Sequence, residues 1–222
     1  MNRNILLSAI GLIAFGSAAV IAAPAPQQPM SFFVTSTVPG SGNLGGLAGA
    51  DAICQNLAAD AGAGNRTWRA YLSQERQQGT DTQAINARQR IGAGPWYNAN
   101  GVLIARNNAD LHGDQQRDRN NIKKSTALDE RGNMVNGVGD MPNQHDILTG
   151  SDSHGRAWID GLDHTCNNWT SGSNMNRATV GHHDNNGGPN TSWNSAHMSR
   201  TCTATDLAAT GGAGKFYCFA IN

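Results

Sequence analysis

Four cysteines behind an apolar leader limit the architectures open to this chain more than any other feature. Cys54, Cys166, Cys202 and Cys218 form an even set. Ahead of them the sequence runs apolar from Ile5 to Ala22, behind Arg3 and before Pro24. A positive start, a short apolar stretch and small residues make a secretory signal peptide. Cleavage is expected after Ala22, with Val20 and Ala22 as the small residues the peptidase reads. No Cys lies near the cut, which argues against a lipid anchor. No other stretch is apolar enough to cross a bilayer. The expected setting is therefore secreted, periplasmic or extracellular, where thiols oxidise. Four cysteines allow three connectivities, and spacing alone does not choose between them.

Removing residues 1–22 leaves about 200 residues, enough for one ample domain. Residues 23–30 are Pro- and Gln-rich and read as a linker, so the domain is placed at 31–222. Charged residues are 14% of the chain, well below the roughly 25% usual for soluble domains. With 27 Gly and abundant Asn, a loop-rich fold with many tight turns is expected.

Hydrophobic spacing supplies the elements. Phe32-Phe33-Val34-Thr35 reads as a first strand. Leu47, Ala50, Cys54, Leu57 and Ala61 fall on one face of a helix that ends at Gly62 or Gly64. Trp68, Ala70 and Leu72 alternate with Arg69 and Tyr71, as in a half-buried strand. Asp81 is a candidate cap for a second helix through Ala84, Ala87 and Ile91. Asn100-Gly101 between two apolar runs signals a hairpin. Residues 106–145 are polar and too long for a plain connector. His145–Thr149 reads as a strand and 152–156 as a turn. Phe216–Ile221, apolar on both faces, reads as a central strand.

These segments resemble an endostatin-like domain of the C-type-lectin-like superfamily. The resemblance rests on Gly46–Cys54, Thr67–Ser73, His145–Arg156, Cys166-Asn167-Asn168-Trp169-Thr170 and Tyr217–Asn222, in that order. It implies an α+β fold with two helices packed on a mixed, mostly antiparallel sheet with long loops. It also implies two nested disulfides, Cys54–Cys218 and Cys166–Cys202. Secreted bacterial lectin-like proteins are similar. Sugar-binding relatives hold calcium with a Glu-Pro-Asn-like triplet, absent here, and a Trp-Asn-Asp triplet, which here reads Trp193-Asn194-Ser195. Endostatin's zinc histidines lie near its start, and residues 23–60 contain none. Neither metal site carries over.

Read for their own chemistry, the loops between Cys166 and Cys202 gather Asp184, Asn185, Asn186, Asn190, Trp193 and Asn194. Amide and carboxylate oxygens beside an aromatic ring suit a sugar, and the same oxygens suit a weakly held calcium ion. Zinc is a further option for His182, His183, Asp184 and His197, although adjacent residues on an extended segment point to opposite sides. Arg66, Arg69, Arg76, Arg88 and Arg90 give residues 60–105 a positive excess, a candidate patch for anionic glycans. No nucleophile elbow, zinc-protease helix or phosphate-binding Gly loop occurs. The sequence thus points to a non-enzymatic module for extracellular polysaccharide or glycan, without nucleic acid, membrane span or resident cofactor. The alternative is an adhesion or assembly module for a surface protein.

Overall fold

A computed structural model describes residues 28–114 and 119–222; the expected signal peptide and residues 23–27 of the linker lie outside them. Phe32, Phe33 and Val34 form β1 (Phe32–Val34), and the predicted helix follows as α1 (Gly46–Asp60). Its buried stripe is Ala50, Cys54 and Ala58, spaced by four as one helix face requires. Positive φ at Gly62 turns the chain out of the helix, and the Trp68 indole donates to the Ala63 carbonyl at 2.9 Å. β2 (Trp68–Ala70) comes next.

The helix expected from Asp81 is reduced to one turn, α2 (Ala87–Arg90). Residues before it are held otherwise: Gln74 and Ile85 form an antiparallel bridge, and the Asn86 side chain accepts from the Ala157 amide at 2.9 Å. Ala84 is exposed, so the apolar spacing that suggested a helix has no partner surface there. The Asn100-Gly101 hairpin forms as β3 (Trp96–Tyr97) and β4 (Leu103–Ala105). The polar stretch beyond holds the short α3 (Asn108–His112) and sends Ile122, Ala127, Leu128 and Val135 into the core. β5 (Asp146–Leu148), a turn designated α4 (Cys166–Trp169), β6 (Thr179–His182), β7 (His197–Met198), α5 (Ala204–Ala209) and β8 (Gly212–Ala220) complete the order. Among the described residues α1 is the only helix longer than six residues; the second helix on the sheet is the six-residue α5, which packs on β8 through Leu207 rather than the one expected from Asp81.

β8 is the spine. Its second half pairs antiparallel with β1 and with β2, through Phe33↔Cys218 and Ala70↔Cys218. Its first half pairs parallel with β5, which continues through β6 to β7. Side chains alternate across the sheet. Phe216, Cys218 and Ala220 face α1 and one core, whereas Tyr217 and Phe219 face a second core with Phe32, Tyr71, Trp96 and Trp193. A strand buried on both faces reads as continuously apolar, as Phe216–Ile221 does. The disulfides are Cys54–Cys218 and Cys166–Cys202. In the chain-entropy model they stabilise by about 5 and about 4 kcal/mol. No described helix is long and apolar enough to cross a membrane.

Candidate functional site

The expected ligand loop does not present its side chains together. Trp193 is 1% exposed, with its ring 4.9 Å from that of Tyr71 and 5.5 Å from that of Tyr217. Asn194 is fully buried and donates to the Tyr71 hydroxyl and to the carbonyls of Asp152 and Ser153. An indole without an exposed face cannot stack on a sugar, so the ligand roles expected for Trp193 and Asn194 are corrected to core roles. Asn185, Asn186 and Asn190 are exposed, and Asn185 and Asn190 line a shallow cleft with Asn120 and Thr191. Their side chains brace backbone: Asn185 donates to the Ile122 carbonyl, Asn186 accepts from Gly187, and Asn190 donates to Ser195 and Ala196. Asp184 accepts from the amides of Val138 and Asn186 at 2.7 and 3.1 Å.

The arginine patch is corrected too. Arg90 is buried and grips both oxygens of Asp51 at 2.7 Å. Arg88 pairs with Asp114, and Arg69 lies 3.9 Å from Asp51. Arg66 donates to the carbonyls of Asn222 and Met30. Arg76 is exposed. A guanidinium already facing a carboxylate adds little field at long range, so Arg69, Arg88 and Arg90 are offset within the chain, and of the expected patch Arg66 and Arg76 keep a charge without a carboxylate beside it among the ion pairs of the described residues.

Two other places combine buried ionisable groups with unusual geometry. The first is a cleft of about 840 Å3 lined by Glu75, Arg76, Gln78, Trp158, Ile159 and Leu162, among others. Its Glu75 is held from behind by α4, where Cys166, Asn167, Asn168 and Trp169 take φ between 50° and 66°. Left-handed backbone costs a non-glycine residue about 1–2 kcal/mol, so four in a row need external support. They have it. Asn168 clamps the backbone of Glu75 through both ends of its amide, at 2.7 and 2.9 Å, and Trp169 donates to the Ser73 carbonyl at 2.7 Å. Asp163 accepts from the Asn167 amide, and the disulfide anchors Cys166. The clamp sets the Glu75 carboxylate 2.8 Å from His164 Nδ1. Burial raises the Glu75 carboxyl above its ordinary value, against the pull of His164. Trp158 stacks on His164 at 4.8 Å, and Asp160 lies 3.5 Å from His164 Nε2. Ile159 and Leu162 stand 95% and 68% exposed at the rim.

The second place lies at the other end of the sheet. Asp146 on β5 is the register partner of His182 on β6. His197 on β7 pairs with Val180, two residues from His182, which puts both imidazoles on one face. His145 precedes β5. The Nε2 atoms of His145, His182 and His197 stand 3.2, 3.3 and 3.4 Å from the single oxygen Asp146 Oδ1. Even so, both Asp146 oxygens and both His182 nitrogens are buried without a hydrogen bond. Each such orphan costs about 1–3 kcal/mol. Burial would raise Asp146, yet the imidazoles of His182 and His197 hold its carboxyl below the ordinary value. Asp146 in turn raises His197 against burial, and Asp184 and Asp146 do the same for His145.

Of the zinc candidates named from the sequence, His182 and His197 meet here and His183 and Asp184 do not meet Asp146. His183 points the other way, 3.1 Å from the Asn136 carbonyl, and burial lowers its pKa. Asp184 Oδ1 faces His145 Nδ1 at 3.4 Å. His145 and Asp146 went unnamed because 35 residues separate Asp146 from His182; a His-Asp pair opening a strand was the signal. Matched against known family models and curated proteins, the chain finds no counterpart.

Proposed function

We propose that this is an exported binding domain of the C-type-lectin-like class, endostatin-like in kind, and that its ligand is an extracellular glycan held in the Trp158 cleft. The fold reading is supported by the nested disulfides and by β1 and β8 pairing at the chain's two ends. The observation that carries the site is the strained α4 turn, whose Asn168 clamps the backbone of Glu75 at the edge of the cleft. Strain concentrates at binding sites, as do large clefts with perturbed carboxyls. Trp158 offers an apolar ring, while Gln78, Arg76 and Glu75 offer donors and acceptors for hydroxyls. Because the lining sets the Glu75 carboxylate against Arg76, a neutral sugar suits the cleft better than an anionic one.

The test is a glycan array followed by calorimetry on any hit. Trp158→Ala and Arg76→Ala should each weaken binding about tenfold or more, the loss of roughly one good contact. Affinity should change little between low and physiological salt, because little net charge is screened. Binding that survives Trp158→Ala would sink the site. The exposed Ile159 and Leu162 favour a second reading, a protein partner seated on the same rim; capture of one protein, unaffected by free sugar, would select it.

A further inference from the structure

We propose that His145, Asp146, His182 and His197 form a binding site for one zinc-class divalent transition-metal ion. The first argument is metric. An ion with bonds of about 2.0–2.1 Å to imidazole nitrogen and carboxylate oxygen, in a tetrahedron, places its ligand atoms about 3.3–3.4 Å apart. The three imidazole nitrogens stand 3.2, 3.3 and 3.4 Å from Asp146 Oδ1. The ligand atoms of His145, Asp146 and His182 all lie within 4.8 Å of one another.

The second argument is what these atoms lack. Asp146 and His182 are 3% and 2% exposed, and their polar atoms have no hydrogen bond. Buried polar groups in a native fold are almost always satisfied. A shared proton fits poorly, because three nitrogens converge on one oxygen and leave Oδ2 with none. A cation would serve lone pairs of Asp146, His145 and His182 at once, with His197 reaching it from the exposed side beside the same oxygen.

The third argument lies behind the ligands. Metal-bound imidazoles donate their second nitrogen to a carbonyl or carboxylate, which sets the tautomer. His197 Nδ1 is 3.0 Å from the Met198 carbonyl, which leaves Nε2 with its lone pair towards Asp146. His145 Nδ1 stands 3.4 Å from Asp184, itself fixed by two backbone amides, without a hydrogen bond between them, so His197 is the imidazole whose second nitrogen is set. The His145 ring is seated against two glycines at positive φ. A Cβ at Gly187 would stand 2.8 Å from its Cε1, and one at Gly211 would stand 3.1 Å from its Nε2. Three imidazoles and one carboxylate suit zinc, or copper and nickel by affinity order. They do not suit calcium or magnesium, which take oxygen ligands. His197, with its side chain 42% exposed, is the side on which an ion enters.

The test uses the whole secreted chain, stripped with a chelator and checked by circular dichroism. Zinc is then titrated against a chromophoric competitor, with calcium as control. We expect one zinc per chain, with a dissociation constant below about 1 µM and no competition from calcium. Cobalt should give the intense visible absorption of a tetrahedral site. His182→Gln should weaken zinc binding at least 100-fold. His197→Gln, on the exposed two-residue strand, should weaken it at least tenfold while leaving the fold intact. Absence of zinc binding, an octahedral cobalt spectrum, or affinity unchanged in both variants would overturn the assignment.

Discussion

Two of the buried meetings of carboxylate and imidazole among the described residues are built in opposite ways. Glu75 and His164 are joined by a 2.8 Å hydrogen bond, and the second carboxylate oxygen of Glu75 accepts from the His164 amide. Asp146 sits among three imidazoles at 3.2–3.4 Å and hydrogen-bonds to none of them. Composition and burial are alike; satisfaction is not. The first pair is complete within the chain, and its cost was met by the α4 clamp. The second is complete only with something added. A buried group that lacks a partner is thus more informative than one that has it.

The sharpest way to break this contrast is to remove one imidazole from each. His164→Ala should destabilise by about 3–5 kcal/mol, because it strands a buried carboxylate, with or without zinc. His182→Ala should cost less than half of that in metal-free protein, since it removes two orphan nitrogens along with the ring. Urea unfolding of both variants, with and without chelator, measures this. Equal costs in metal-free protein would erase the distinction.

Another buried imidazole extends the comparison to pH. His112 has the Tyr71 hydroxyl 2.7 Å from Nε2 and the Asn108 carbonyl 3.0 Å from Nδ1, so its neutral form is fully satisfied. Burial, aided by Arg88, depresses its pKa from 6.5 to about 4. The unfolded chain therefore takes up the proton first. Stability should be lost as pH falls from about 6.5 towards 4, by about 3 kcal/mol. His112→Gln should flatten that slope in denaturant melts taken across the range. A slope equal to the wild type would assign the acid sensitivity to other groups.

Zinc itself should act at one end of the molecule only. At 100 times its dissociation constant it should stabilise the wild-type chain by about 2.7 kcal/mol and His182→Ala by far less, read as a shift in melting temperature. The smallest effect belongs to the rim of the cleft. Asp160 is half-exposed and 3.5 Å from His164, so Asp160→Asn should change stability by less than about 1 kcal/mol. A larger loss would make Asp160 part of the buried pair.

Much of the scaffold was legible because local periodicity survives folding. The stripe through Ala50 and Cys54, the Asn100-Gly101 hairpin and the doubly apolar end all lie where spacing put them. The Asp81 helix failed because a stripe needs a surface to cover, and Ala84 has none. Trp193 beside an Asn-rich run reads the same whether the ring faces water or Tyr71. The partner that decides it, the Tyr71 ring 4.9 Å away, is far off in the chain and leaves no local trace. The His–Asp cluster was half legible: His182 and His197 are near in sequence, whereas Asp146 joins them only through sheet register.

The position of β8 also has a kinetic consequence. It pairs with β1, β2 and β5, and carries the second thiol of the Cys54 bridge, yet it is synthesised after all of them. Contacts this distant in sequence close slowly. A ribosome that has made the first 211 residues has made β5, β6 and β7 and the β3–β4 hairpin, which pair without β8, but not the strand that joins β5 to β1 and β2. The same delay leaves apolar strands bare until the final residues arrive, which is when a holding chaperone would be needed most.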